Sequence, residues 1–316
     1  MTAKQITNNK KMPPLLVTGA HRSGTTWVGK MIAASGKYAY ISEPLNVNHR
    51  QGIFHAVVPY WYNYINSENE DLYLPAFRDT LRLHYHTIPE VKSLRSIKDL
   101  GRFGRDCWRF TIGRLAGRAP LLKDPFALFS APWFSDRLGC QVVICVRHPA
   151  AFISSLKRLG WTFNFSHLLD QPQLMQDLLS PFEDELHRAQ QHSADLILRG
   201  SLLWNILYHV VDLYRRRDYP FLIVRHEDLS LQPIAGYKSI YQWLGLPFAS
   251  RIEDHIRMSS SQDNPVELSG SKAHSIKLDS RANLKNWRKR LSNTEIARIR
   301  ELTADVASHF YTSADW

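Results

Sequence analysis

The chain has 316 residues, of which 44% are hydrophobic and 11% aromatic, and its formal charge is +11. Such a composition excludes a disordered or low-complexity polypeptide, and the length suits one generous α/β domain. The charge favours an anionic partner: nucleic acid, acidic membrane, a polyanion or a multiply phosphorylated small molecule. Cys107, Cys140 and Cys145 are odd in number and lack CxxC spacing, so they read as buried thiols and not as a disulfide frame or zinc site.

Residues 1–13 read as a flexible N-terminal tail without the apolar stretch of a signal peptide, and no run approaches eighteen unbroken apolar residues. A soluble, cytoplasmic protein is therefore expected, with 14–316 as a single domain. Five short apolar runs read as strands: PLLVTG (14–19), YAYIS (38–42), APLLK (119–123), QVVICVR (141–147) and PFLIVRH (220–226). Between the first two, Trp27, Val28, Met31 and Ile32 share one helical face and Gly36 supplies a stop, giving a βαβ unit. Pro149 opens a helix after the fourth run, SLLWNILYHVVDLYRRR precedes the fifth, and Ser292 with Glu295 forms a capping box for a C-terminal helix. Alternating strands and helices predict a mostly parallel five-stranded sheet flanked by helices.

In such a sheet ligands sit beyond the carboxyl ends of the strands. Those ends carry Arg22, Glu43, Lys123 with Asp124, Arg147, and Arg225 to Glu227. The turn after the first strand, GAHRSGTTW, places Gly19 and Gly24 at the glycine positions of G-x-x-x-x-G-K-[ST], and Thr26 at the hydroxyl position. Thr25 occupies the lysine slot, and the positive charge sits at Arg22. A strand-to-helix turn of this kind aims backbone N–H groups at an anion, and an arginine fork grips two oxygens of a phosphate or sulfate. A magnesium-dependent nucleotide kinase with an altered P-loop is disfavoured by the missing lysine and by the lack of a strand ending in a Walker B aspartate. A non-enzymatic polyanion binder is the other rival that the charge allows.

GAHRSGTTW resembles the 5′-phosphosulfate loop of the sulfotransferases that use 3′-phosphoadenosine 5′-phosphosulfate (PAPS), and VRHPAAFISS resembles their 3′-phosphate element, here Arg147 and Ser155. SRANLKNWRKRLS is similar to the C-terminal segment that folds over the nucleotide, although Ser280, Arg281 and Ala282 replace its glycine-rich run. The resemblance implies a P-loop-like three-layer fold and cofactor binding by Arg22, Ser23, Gly24, Thr25, Thr26, Trp27, Arg147, Ser155 and Arg281. Trp27 matches the adenine-stacking position, yet its place on the apolar helix face suits a core residue equally well.

The implied reaction passes a sulfuryl group from PAPS to a hydroxyl acceptor, a carbohydrate or glycolipid, leaving adenosine 3′,5′-bisphosphate. No metal and no specific nucleic acid are expected. Catalytic roles fall to Glu43 as base, in the ISEPLNV element similar to that of carbohydrate and tyrosylprotein sulfotransferases, and to Arg22 and Lys123 at the leaving group. LLKDPF lacks the histidine used by cytosolic members; Asp124 and then His49 are the alternative bases. Glu227 and Asp228 read as structural. HYH (84–86), without further ligands or an HExxH, does not make a metal motif. Acceptor specificity is expected from 47–118 and 160–200, where an aromatic-rich stretch and a helical lid are the readings.

Overall fold

A computed structural model describes residues 12–94, 96–191, 195–267 and 277–316; the expected tail up to residue 11 lies outside them. Its centre is a parallel sheet of β1 (Leu15–Gly19), β2 (Tyr38–Ser42), β3 (Ala119–Lys123), β4 (Gln141–Val146) and β5 (Leu222–Arg225). β1 and β3 are buried at every position, as a sheet covered on both faces requires. The pleat sorts their side chains between two cores: Leu15 and Val17 pack with Trp27, Met31 and Tyr237, whereas Leu16 packs with Ile144, Trp204 and Leu207 on the other face.

The strand order is β2-β3-β1-β4-β5. A direct neighbourhood of β2 and β1, the simplest outcome of the βαβ reading, is not what forms. β3 inserts between them, pairing Leu15 with Leu121 on one side and Tyr40 with Leu121 on the other. Glu43, at the end of edge strand β2, therefore meets the glycine turn across the end of β3.

Helix α1 (Thr25–Ala33) follows β1 as its apolar face dictates. Pro149 starts the helix Pro149–Leu159, and the capping box of Ser292 and Glu295 is formed at the head of Asn293–Ser308. Leu196–Arg216 is, among the described residues, the one helix long and apolar enough to cross a membrane. It is largely buried inside the fold, packed on Pro149–Leu159 and Asn293–Ser308, and acts as a core element. The cysteines are free thiols, with Cys140 and Cys145 buried and Cys107 half-buried.

Candidate active site

The turn between β1 and α1 closes on two glycines. Gly19 has φ 143°, and a Cβ there would stand 2.3 Å from the Cys145 carbonyl oxygen; Gly24, at φ 95°, would bring one within 2.5 Å of His226 Nδ1. Neither position has room for a side chain, and both φ values lie where L residues are strained. The amides of Thr25 and Thr26 precede the first bonds to the Gly24 carbonyl, which come from Trp27 (2.9 Å) and Val28 (3.1 Å). They stand at the positive end of the helix, where an anion is favoured.

A cavity of about 600 Å³ opens over this turn. Arg22, Gly24, Thr25, Thr26, Trp27, Glu43, Arg147 and Ser155 all line it. The guanidinium of Arg147 lies directly on the loop, its Nη1 donating to the Arg22 carbonyl at 2.5 Å. Arg22, at φ 68°, sends its side chain across the cavity so that Nε donates to Ser155 Oγ at 3.2 Å. The loop arginine thereby links the glycine turn to Ser155 on the helix Pro149–Leu159. Burial and the positive charges of Arg147 and Arg158 hold the Arg22 guanidinium down to about 10. Burial likewise lowers that of Arg147, with Arg290 adding repulsion and Glu227 opposing it. Four arginines are thus electrostatic neighbours around one cavity, an arrangement that attracts an anion.

Glu43 adopts φ 52°, a left-handed conformation that is strained for glutamate. Its carboxylate accepts from Lys123 Nζ through Oε1 and from Asn46 Nδ2 through Oε2 at 2.8 Å. Lys123 is buried and outside the cavity lining, contrary to its expected place at the leaving group. Burial works to lower its ammonium, but Tyr40 and Glu43 outweigh it and the amine titrates above its ordinary range. The geometry makes Lys123 the group that orients Glu43.

Other expectations are corrected by direction. Ser23 is buried, and its hydroxyl donates to the Ala20 carbonyl at 2.6 Å, so it braces the turn and does not line the cavity. Arg281 donates to the Leu231 carbonyl at 3.0 and 3.2 Å on the outside of its helical turn. Its neighbours Ser280 and Asn283, three residues apart on the inner face, line the cavity instead. The C-terminal segment supplies Arg290 there, whose Nη1 donates to Ser154 Oγ at 3.3 Å and whose Nε donates to Glu267 at 3.1 Å. Asp124 is fully buried, accepting from the amides of Leu45 (2.5 Å) and Phe126 (2.9 Å), and its carboxyl is pushed up to about 7 by burial and by Glu43. It ties the exits of β2 and β3 together, away from the cavity. His49 is likewise outside the lining and bonds the Asn46 carbonyl.

Trp27 lines the cavity, and its ring packs edge-on to Tyr237 at 5.2 Å with Nε1 donating to Ser259 Oγ. Glu227 is structural, accepting from the His148 amide and the Tyr311 hydroxyl, both at 3.0 Å.

His21, absent from the sequence-based set, lines the cavity with Nδ1 2.7 Å from the Tyr62 hydroxyl. Burial and Arg22 lower its imidazole to about 4, so it is neutral at physiological pH. Its position inside the glycine turn, directly before Arg22, was the available signal. Trp61, Phe126, Trp161 and Phe163 add an aromatic wall drawn from both long insertions and the end of β3.

A model of the sulfotransferase domain matches residues 12–310. Over 186 residues, 55% of this chain and 36% of the relative, the sequence is 27% identical to carbohydrate sulfotransferase 3 of Mus musculus. Over 89 residues, 28% of this chain and 20% of the relative, it is 32% identical to carbohydrate sulfotransferase 1 of Danio rerio. The matches thus span about a third or less of the length of these curated relatives. Among solved structures, mouse sulfotransferase SULT7A1 complexed with PAP superposes with a TM-score of 0.47 at 11% identity, covering 97% of this chain and 86% of that one.

Proposed function

The chain belongs to the sulfotransferase domain family, and from that premise we propose that it moves a sulfuryl group from PAPS to a hydroxyl of a carbohydrate or glycolipid acceptor. The observation that carries the reading is one cavity lined by the glycine turn, the Arg147–Ser155 pair and the Glu43 carboxylate together. The Thr25 and Thr26 amides and hydroxyls are suited to the 5′ side of the donor, and Arg147, Ser155 and Arg290 to its 3′-phosphate. Trp27 offers a ring for adenine.

Transfer requires loss of the acceptor proton and stabilisation of charge on the departing phosphate. Glu43, oriented by Lys123 and Asn46, is the proton acceptor in this scheme. Arg22 faces the charge that develops on the leaving group. Positioning and electrostatics then supply most of the rate, as in phosphoryl transfer. Trp61, Phe126, Trp161 and Phe163 suit the apolar face of a sugar ring, and the relatives' names, carbohydrate sulfotransferases, agree with that class.

The test is a thermal shift with adenosine 3′,5′-bisphosphate against ADP with magnesium. At one hundred times its dissociation constant the preferred ligand stabilises by about 2.7 kcal/mol. Preference for the bisphosphate, followed by transfer of labelled sulfate from PAPS to members of a sugar panel, is the expected result. A stronger, magnesium-dependent response to ADP would replace this reading with the kinase.

A further inference from the structure

Apart from the cavity, the insertion after β2 gathers three imidazoles and a carboxylate. One ligand atom each from His55, Asp79 and His86 lies within 4.8 Å of the others. The His86 ring centroid is 4.3 Å from that of His55 and 4.7 Å from that of His84. None of these residues lines the cavity.

The backbone beneath them is held in place. The His86 amide donates to the Gly52 carbonyl at 2.9 Å, and the His84 amide to the Asp79 carbonyl at 3.0 Å. The Thr80 hydroxyl donates to the Ile53 carbonyl at 2.8 Å. Three separate stretches of chain are therefore fixed next to one another before any ligand arrives, as a coordination site requires.

An ordinary histidine–aspartate ion pair does not account for the group. His86 Nε2 is 3.5 Å from Asp79 Oδ2, and that buried nitrogen has no hydrogen-bond partner among the described residues. A cation between the imidazoles and the carboxylate would satisfy all three at once.

We propose that His55, Asp79 and His86 form a binding site for a zinc-class transition metal that braces the insertion carrying part of the acceptor wall. Imidazole with carboxylate is a donor set for zinc, and bonds of about 2.0–2.1 Å in a tetrahedron put ligand atoms roughly 3.4 Å apart. Three protein ligands leave a fourth position for water or for His84. His55 precedes Trp61 of the cavity wall by six residues, so coordination would tie that wall to the helix Leu74–Leu81 that carries Asp79.

The experiment is calorimetric titration of zinc chloride into the tag-free full chain after chelator treatment, with magnesium chloride as control. One equivalent of zinc is expected to bind and to raise the melting temperature, with no response to magnesium. His55→Ala and Asp79→Asn should each weaken zinc binding at least ~10-fold while melting like the parent protein in the absence of metal. Cys107→Ser should bind as the parent does. Absence of zinc binding by the parent chain, or undiminished binding by both ligand variants, would overturn the proposal. Equal weakening by Cys107→Ser would move the metal to another site and overturn it as well.

Discussion

Replacing Arg147 with alanine separates the two anion elements by experiment. Among the described residues the guanidinium donates to the Arg22 carbonyl through Nη1 only, and Arg147 lines the cavity, so donor capacity remains for a ligand oxygen. A hydrogen bond from a charged donor is worth ~1.5–3 kcal/mol, and each 1.4 kcal/mol is about tenfold in affinity. Loss of Arg147 should therefore cost ~10–100-fold in affinity for adenosine 3′,5′-bisphosphate. It also removes a brace from the glycine turn, which would weaken any ligand held there. The decisive quantity is therefore a ratio: the affinity for the bisphosphate divided by that for adenosine 5′-monophosphate, both from calorimetry. Damage to the turn affects both ligands and cancels, whereas loss of the 3′-phosphate contact reduces the ratio by ~10–100-fold. A variant that keeps the parental ratio would show that Arg147 does not read the 3′-phosphate, and the placement of the donor would have to be abandoned.

Glu43→Gln should lower kcat by ~10²–10⁴-fold while leaving bisphosphate affinity near the parental value; unchanged turnover would remove Glu43 as the base. Gly24→Ala combines φ 95° with a Cβ 2.5 Å from His226 Nδ1, and should cost roughly 1–3 kcal/mol of stability by urea midpoint, with donor affinity falling too. His148 is enclosed by Trp287, Tyr311 and Trp316, and burial lowers its imidazole to about 3. Between the ordinary value near 6.5 and about 3 the unfolded chain binds a proton that the folded chain refuses. Stability therefore falls on acidification through that window, by up to about 1.4 kcal/mol per pH unit for this one group. His148→Phe keeps a ring in the enclosure and should make the acid-side slope shallower by that amount, measured by urea unfolding from pH 7 to pH 4; an unaltered slope would refute the assignment.

The parallel strands were legible because a strand covered on both faces is a continuous apolar run, and LLVTG, APLLK and QVVICV are such runs. Their lateral order was not, since insertion of β3 between β1 and β2 is decided by crossovers much longer than the βαβ unit that the local pattern reveals. The same limit governs the site. Among residues held at a strand end or in a tight turn, Ser23 and Lys123 are buried outside the cavity, whereas Gly24, Glu43 and Arg147 reach it. Which way a side chain leaves a short helix decides likewise: one step along a turn separates cavity-lining Ser280 from outward Arg281.

Arg22 shows why the lysine of a P-loop could be replaced without loss of charge. A compact ammonium would serve the turn alone, whereas the longer planar guanidinium spans to Ser155 and leaves its backbone carbonyl to Arg147. The two anion elements are thereby linked through one residue. With burial, Arg147 and Arg158 acting together to hold Arg22 down to about 10, the arginine cluster is a site of mutual repulsion. An incoming anion relieves repulsion at both elements in one event, so a donor carrying phosphates at both ends should bind more tightly than its two halves taken separately, and adenosine 5′-phosphosulfate, which lacks the 3′-phosphate, should lose more affinity than one deleted hydrogen bond explains.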